Sequence, residues 1–277
     1  MRADLIDAAL RSVAAWRVAE GRRARFDDRV ALETPVALVY NGEPHAVMMA
    51  TPADLADFAL GFSLTEGIVA ARDELELVDC VASERGVSLQ MLIPHAAFTA
   101  LRDRRRAFDG RSGCGLCGVE SLEAAVRPVA RVPDAAPVAA AAISAGIARL
   151  ASLQPFNRES GGLHAASLVD GDVLVVREDV GRHNALDKLV GALAVEPRAP
   201  GFLAMTSRAS YEIVHKAAAA GIAIVAAVSA PTELAIRTAE AAGITLVAFV
   251  RGDAMTIYAN PQRILDARSL RPPPGSL

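Results

Sequence analysis

The chain has 277 residues, of which 52% are apolar, 22% charged and only 4% aromatic. Such a balance fills a globular core with Ala, Val, Leu and Ile and excludes wholesale disorder. A net charge of −3 argues against a dedicated nucleic-acid binder, while leaving room for local basic patches.

Three cysteines are too few for a disulfide scaffold, and an odd number suits a reducing compartment. The opening MRADLIDAALRSVAAW carries Asp4 and Asp7 and lacks a continuous apolar run, so no signal peptide is expected. The longest apolar stretch, Ala217 to Val228, contains Gly221 and falls short of a membrane span. A soluble, cytoplasmic protein without membrane association is the expectation.

Residues 1–29, rich in Ala and Arg, read as a helix or loose tail. From Val30 onward, ALETPVALVYNGEPHAVMMATP reads as strand, Asn41-Gly42 turn, strand, because Asn-Gly accepts the positive φ of a tight hairpin. Thr51-Pro52 then opens a predicted helix, with Pro52 near its first position and Gly67 just past its end. Two more strands are expected about Glu84-Arg85-Gly86. Next, PHAAFTALRDRRRAF predicts a helix that breaks into DGRSGCGLCG, where Gly110, Gly113, Gly115 and Gly118 make a loop. Residues 30–127 thus form a small α+β domain ending in a CxxC loop. A short helix, VESLEAAV, follows, and the Pro- and Ala-rich RPVARVPDAAP is the candidate linker.

A second domain, 138–266, is more sharply patterned; 267–277 is a tail. A helix over 138–153 precedes a hairpin about Asp170-Gly171 and the helix GRHNALDKLVGAL. Two similar βα units come next, AMTSRASYEIVHKAAAAGI and AAVSAPTELAIRTAEAAGI, in which Ser207 matches Ser229 and Gly221 matches Gly243. In each, an apolar strand ends in Ser and a Gly closes the helix. A third strand, ITLVAFV, completes the set. Apolar strands alternating with helices imply parallel pairing with right-handed crossovers. The element order predicts an α/β fold: a cytidine deaminase-like three-layer α/β/α sandwich with a smaller N-terminal α+β domain.

Three constellations could carry chemistry. Cys114 and Cys117 sit on the glycine-rich loop just after Arg102, Arg104, Arg105, Arg106 and Arg111, and nearby guanidinium groups favour thiolate. A structural zinc site would need four ligands, and no second cysteine pair exists; Cys80 plus one His is a poor completion. A thioredoxin-like dithiol and incidental cysteines are the other readings. The second constellation runs from Glu178 through Asp179, Arg182, His183, Asn184 and Asp187 to Lys188, directly after a strand, where open α/β sheets bind ligands. Its structural reading is a capped, salt-bridged helix start, and His164 is read likewise. The third comprises Ser207, Arg208, Ser210, Ser229 and Thr232, at helix starts that can cradle phosphates. Ordinary capping accounts for one hydroxyl per helix but not for Arg208.

Zinc deamination meets a direct test at these positions. Such enzymes need H-x-E and then P-C-x-x-C, whereas this chain offers His183-Asn184-Ala185 and Ser207-Arg208-Ala209-Ser210. Serine hydroxyls are poor zinc ligands beside thiolates, so no bound metal is expected.

Taken together, GRSGCGLCGVE, GGLHAASL, VREDVGRHNALDKLVG, SRASYEIVHKAAAAGI, AVSAPTELAI and FVRGDAMTIYANPQRI, with the segment from Glu33 to Ile68, closely resemble the FdhD family. These are the formate dehydrogenase accessory sulfurtransferases, and the resemblance runs from about residue 30 to 266. It implies a sulfur carrier with a cysteine persulfide intermediate. Sulfur would pass from a cysteine desulfurase to the molybdenum cofactor, a bis-molybdopterin guanine dinucleotide, before insertion into formate dehydrogenase. Carried over, Cys114 and Cys117 handle sulfur, with Cys114 as the expected persulfide site and Cys117, closer to the predicted helix start at Val119, as the alternative nucleophile. The family's cofactor-binding segment falls on Phe249, Val250, Arg251, Gly252, Asp253 and Ala254, facing the crevice of Ser207, Arg208, Ser229 and His183. The resemblance also implies a homodimer. The alternative is a non-catalytic cofactor chaperone, a nucleotide-binding delivery module.

Overall fold

The computed structural model describes residue 6 and residues 8–108, 127–199 and 201–266. Two strands begin it, β1 (Leu10–Ala19) and β2 (Arg22–Ala31), paired antiparallel throughout. From Leu10 onward this corrects the expectation of a helix or loose tail over 1–29. Glu20 and Gly21 form a tight turn with φ of 51° and 73°, and cation–π contacts tie the strands. Arg17 lies 4.3 Å from the Phe26 ring and Arg23 4.6 Å from the Trp16 ring.

A four-stranded sheet follows, in the order β4-β3-β6-β5. It comprises β3 (Thr34–Tyr40), β4 (Glu43–Ala50), β5 (Glu76–Ser83) and β6 (Gly86–Leu92). Asn41-Gly42 makes the expected turn, with φ of 49° and 83°. Alternate residues of β3 and β6, Val36, Leu38, Tyr40, Leu89 and Met91, bury one face against Phe58 and Phe62 of α1 (Leu55–Thr65). Helix α1 starts three residues later than Pro52 suggests. Asp54 sits in the left-handed region at φ 53° and ψ 38°, so helical geometry begins only after it, while the Thr51 N–H donates to Asp179 and its carbonyl accepts from Lys188. Helix α2 (His95–Phe108) closes this unit.

The second unit is a six-stranded sheet in the order β13-β12-β11-β10-β8-β9. The hairpin β8 (His164–Asp170) and β9 (Val173–Asp179) forms one edge. The parallel strands β10 (Phe202–Met205), β11 (Ile224–Ala227) and β12 (Thr245–Arg251) form the centre. An antiparallel β13 (Ala254–Ala259), which the sequence reading missed, forms the other edge. A short β7 (Val138–Ala139) pairs with β14 (Ile264–Leu265) outside it.

Successive residues of the central strands enter opposite cores. Phe202, Ala204, Ile224, Ala226 and Val247 meet Ile143 and Leu150 of α3 (Ala140–Ser152). Leu203, Met205, Val225, Ala227 and Leu246 meet helices α5 (Arg182–Val195), α6 (Tyr211–Ala219) and α7 (Glu233–Ala242). Burial on both faces is why FLAM and IVAA read as continuous apolar runs. The result is three layers, with a short α4 (Pro155–Ser160) before β8.

The two units are joined tightly. A Cβ on Gly61 of α1 would collide with the Asp187 carbonyl of α5, and one on Gly191 with the Asp57 carbonyl of α1. Glycine here permits backbone-to-backbone helix contact. The expected linker is also bound: the Val132 N–H donates to the Ala242 carbonyl at 2.9 Å, and Arg263 meets Asp134 at 2.8 Å.

Candidate functional site

At the carboxyl edge of the parallel strands, three turns stand side by side. The Ala209 N–H donates to the Ala230 carbonyl (3.2 Å) and the Thr232 N–H to the Ala209 carbonyl (3.0 Å), zipping the turns after β10 and β11 together. The Phe249 N–H donates to the Ser229 carbonyl at 3.3 Å, which adds the end of β12. Phe249 has φ of 53° at an irregularity between Ala248 and Arg251. For a bulky residue this conformation costs on the order of 1–3 kcal/mol, a strain that concentrates at binding sites.

The predicted cofactor residues divide along this edge. Ser207 is buried and donates to the Arg208 carbonyl (3.0 Å), while the Arg208 side chain is exposed. Ser229 and Phe249 are half-buried, and Arg251, Gly252, Asp253 and Ala254 are exposed on the β12–β13 turn. The Arg251 guanidinium lies 5.7 Å from the Phe249 ring. Val250 points into the core with 2% exposure, so only its backbone faces the edge.

His183, in the first turn of α5, joins the same edge. Its Nε2 lies 3.5 Å from Ser210 Oγ and 3.6 Å from Glu212 Oε2. The contact with the His183 ring is the main reason the Glu212 carboxyl is pulled down to about 2. Nearby His164 is pushed below its ordinary value by burial, then by the charges of Arg182 and His183. Arg182 Nε is buried with no hydrogen-bond partner. Sequence reasoning missed Glu212, although its position in the first turn of α6, after Ser210, was a visible signal.

The remaining polar residues of that constellation brace the fold. Lys188 and Asp179 are fully buried and paired at 2.6 Å. Asp179 also accepts from the N–H groups of Thr51 (2.9 Å) and Gly181 (2.8 Å) and from Asn184 Nδ2 (3.0 Å). Glu178 caps α4, accepting from the N–H groups of Phe156 and Asn157, and burial raises its pKa. Asp179, with four donors on its two oxygens, and Lys188, with three acceptors, have their hydrogen-bonding positions filled.

A second buried network lies where α1, α5 and α6 meet. Lys216 Nζ contacts Asp187 (2.9 Å), Glu66 (2.8 Å) and Thr65 Oγ1 (3.0 Å). Burial alone would raise the Glu66 carboxyl, but Lys216 and Arg127 outweigh it and hold Glu66 at about 2. Arg127 binds Glu66 at 2.9 Å, and its N–H donates to the Tyr211 hydroxyl at 2.8 Å. Arg104 of α2 donates to the Gly67 carbonyl at 3.1 Å. The described chain on either side of residues 109–126 therefore converges on the carboxyl end of α1, and on its far side reaches the first residue of α6.

Cys114 and Cys117, with Arg111 and the predicted helix VESLEAAV, lie outside the described residues. Cys80 is exposed on β5, and burial and Asp79 raise its thiol pKa. Among the described residues no three His, Cys, Asp or Glu side chains gather to hold a metal ion, and no helix is long and apolar enough to cross a membrane. A cavity of about 340 Å³ lies along β9 and the end of α5, but its Arg177 is already paired with Asp57 at 2.7 Å. The chemistry points to the carboxyl edge instead.

Comparison with known proteins agrees on one family. The model of the FdhD/NarQ family matches residues 31–265. A "Sulfur carrier protein FdhD" from Variovorax paradoxus is 51% identical over 245 residues, 86% of this chain and 88% of the relative. Its counterpart from Cupriavidus necator is 51% identical over 263 residues, covering 94% of this chain and 91% of its own. One from Bordetella petrii is 50% identical over 268 residues and 95% of both chains. A crystal structure from Desulfotalea psychrophila, provisionally described as a formate dehydrogenase accessory protein, superposes with a TM-score of 0.73 at 24% identity. That superposition covers 93% of this chain and 100% of the other, and it shows the shared fold.

Proposed function

We propose a function for this chain from one premise: it belongs to the FdhD/NarQ family. It is a sulfur carrier that serves formate dehydrogenase. In finer terms, Cys114 takes sulfane sulfur from the persulfide of a cysteine desulfurase. The Cys114 thiolate attacks the donor's terminal sulfur, the donor S–S bond breaks, the transferred sulfur keeps its proton, and the donor leaves as a thiolate. The Cys117 thiolate then attacks Cys114 Sγ, forming a disulfide and expelling hydrosulfide, which is the sulfur delivered to the molybdenum cofactor as substrate. A thiol reductant must restore the dithiol before another round. The Mo-bis(molybdopterin guanine dinucleotide) is substrate here, and its nucleotide arms suit the edge of Ser207, Arg208, Ser229 and Phe249.

The observation carrying this reading is the convergence of two lines on one edge. Residues 109–126 are flanked by chain tied to Glu66 and Tyr211, and Tyr211 adjoins Ser210 and Glu212, which meet His183. The layer order likewise supports a cytidine deaminase-like unit whose deaminase ligands have been replaced. By the family resemblance the protein works in the cytoplasm as a homodimer.

The test is complementation of a strain lacking its own copy of this protein. Wild type restores formate dehydrogenase activity; Cys114→Ala and Cys117→Ala do not, while both variants retain binding of guanosine diphosphate in calorimetry. Full restoration by both cysteine variants would leave delivery without sulfur transfer as the reading.

A further inference from the structure

Up to Val30 the β1–β2 ribbon lies outside the segment that the family model matches, which begins at residue 31. Ten-residue strands reach roughly 33 Å. Among the described residues only the base is packed, where Leu10 and Ala31 meet Ala53, Phe156 and Leu163, and Arg29 pairs with Glu159 at 3.1 Å. Toward the tip, Trp16 is 60% and Val18 71% exposed. A two-stranded ribbon is marginal in water unless another surface covers it, so this arm calls for a cover. Its charge identifies the chemistry of that cover. Arg11, Arg17, Arg22, Arg23, Arg25 and Arg29 exceed Glu20, Asp27 and Asp28 by three positive charges, on a chain whose net charge is −3.

The complementary surface is on the molecule itself. β5 is the outer strand of the four-stranded sheet, and Val78 and Val81 are 56% and 45% exposed on it. Over residues 72–85, Asp73, Glu74, Glu76, Asp79 and Glu84 exceed Arg72 and Arg85 by three negative charges. An exposed outer strand with acidic and apolar side chains matches a basic ribbon with exposed Trp and Val in both charge and hydrophobicity.

We propose that the β1–β2 ribbon of one copy docks on the β5 edge of a second copy, and reciprocally, giving a two-fold dimer clasped by its arms. The contact names a surface for the homodimer of the functional reading, but needs no sulfur chemistry.

The test uses Cys80, already exposed on β5. In full-length chains carrying Cys114→Ser and Cys117→Ser, one partner has Val18→Cys with Cys80→Ser, and the other retains Cys80. The two are made at different masses, mixed and oxidised with diamide. A disulfide-linked heterodimer forming at least tenfold faster than with Val173→Cys in place of Val18→Cys is expected. Arg22→Glu with Arg23→Glu abolishes that preference, and Glu76→Arg with Asp79→Arg in the other partner restores it. A rate equal to the Val173→Cys control overturns the proposal. So does ribbon-dependent binding of single-stranded RNA without the cross-chain disulfide, which would make the arm a nucleic-acid contact.

Discussion

Two polar clusters flank the start of α5, and they behave oppositely. Asp179, Asn184 and Lys188 are buried, and the Asp179–Lys188 pair is tied to the backbone of Thr51 in the other unit. His183, Arg208, Ser229 and Phe249 are part-exposed, with a strained backbone at Phe249 and an unpartnered Arg182 Nε beside them. Both look alike as strings of polar residues after a strand. Hydrogen-bond satisfaction separates them: a group with all its partners braces the fold, and one with capacity to spare can meet a ligand.

The sharpest way to break that distinction is Lys188→Met. If the first cluster is bracing, the substitution strands a buried Asp179 carboxylate and costs about 3–5 kcal/mol, read from urea midpoints. Little loss would mean that Asp179 is not structurally committed.

The network under α1 gives the next largest effect, and its sign follows from Glu66. With a folded pKa of about 2 against an ordinary 4.5, Glu66 adds stability above pH 4.5. That contribution is lost as pH falls from 4.5 toward 2. Glu66→Gln therefore lowers stability at neutral pH and flattens the acid limb of a stability–pH curve, most clearly between those values. An unchanged limb would show that Lys216 and Arg127 do not hold the charge.

On the open edge the expectation reverses. Arg208→Ala leaves the urea midpoint within about 0.5 kcal/mol of wild type, as for an exposed side chain. It weakens guanosine diphosphate binding in calorimetry by about tenfold, or ~1.4 kcal/mol. Stability loss with unaltered binding would place Arg208 with the braces.

The smallest contrast concerns two helix starts. Thr232 Oγ1 accepts from the Ala235 N–H at 3.3 Å, so Thr232→Ala costs about 1 kcal/mol in a thermal melt. Ser210 makes no such cap, its Oγ lying near His183, and Ser210→Ala costs less. Equal costs would mean that Ser210 is an ordinary cap.

Much of this architecture was legible because local signals agreed with it. Asn41-Gly42 and Asp170-Gly171 marked hairpins, and the paired βα units with Ser207 and Ser229 located the carboxyl edge. The β1–β2 ribbon was hidden because its turn is Glu20-Gly21, with a positive φ on a Glu, and its strands are Ala- and Arg-rich. β13 was hidden because Gly252 turns the chain immediately after a strand that otherwise reads as a last one. The site was half legible. The hydroxyls and Arg208 were visible as residue types, but the bulge at Phe249 and the fully satisfied state of Asp179 arise only from tertiary hydrogen bonds.

The central claim is sulfur carriage, and intact-mass spectrometry after incubation with an active cysteine desulfurase and cysteine tests it most directly. The account predicts one or more added sulfur atoms on wild type and on Arg208→Ala, and none on Cys114→Ala. A wild-type chain that gains no sulfur while still binding guanosine diphosphate would contradict it.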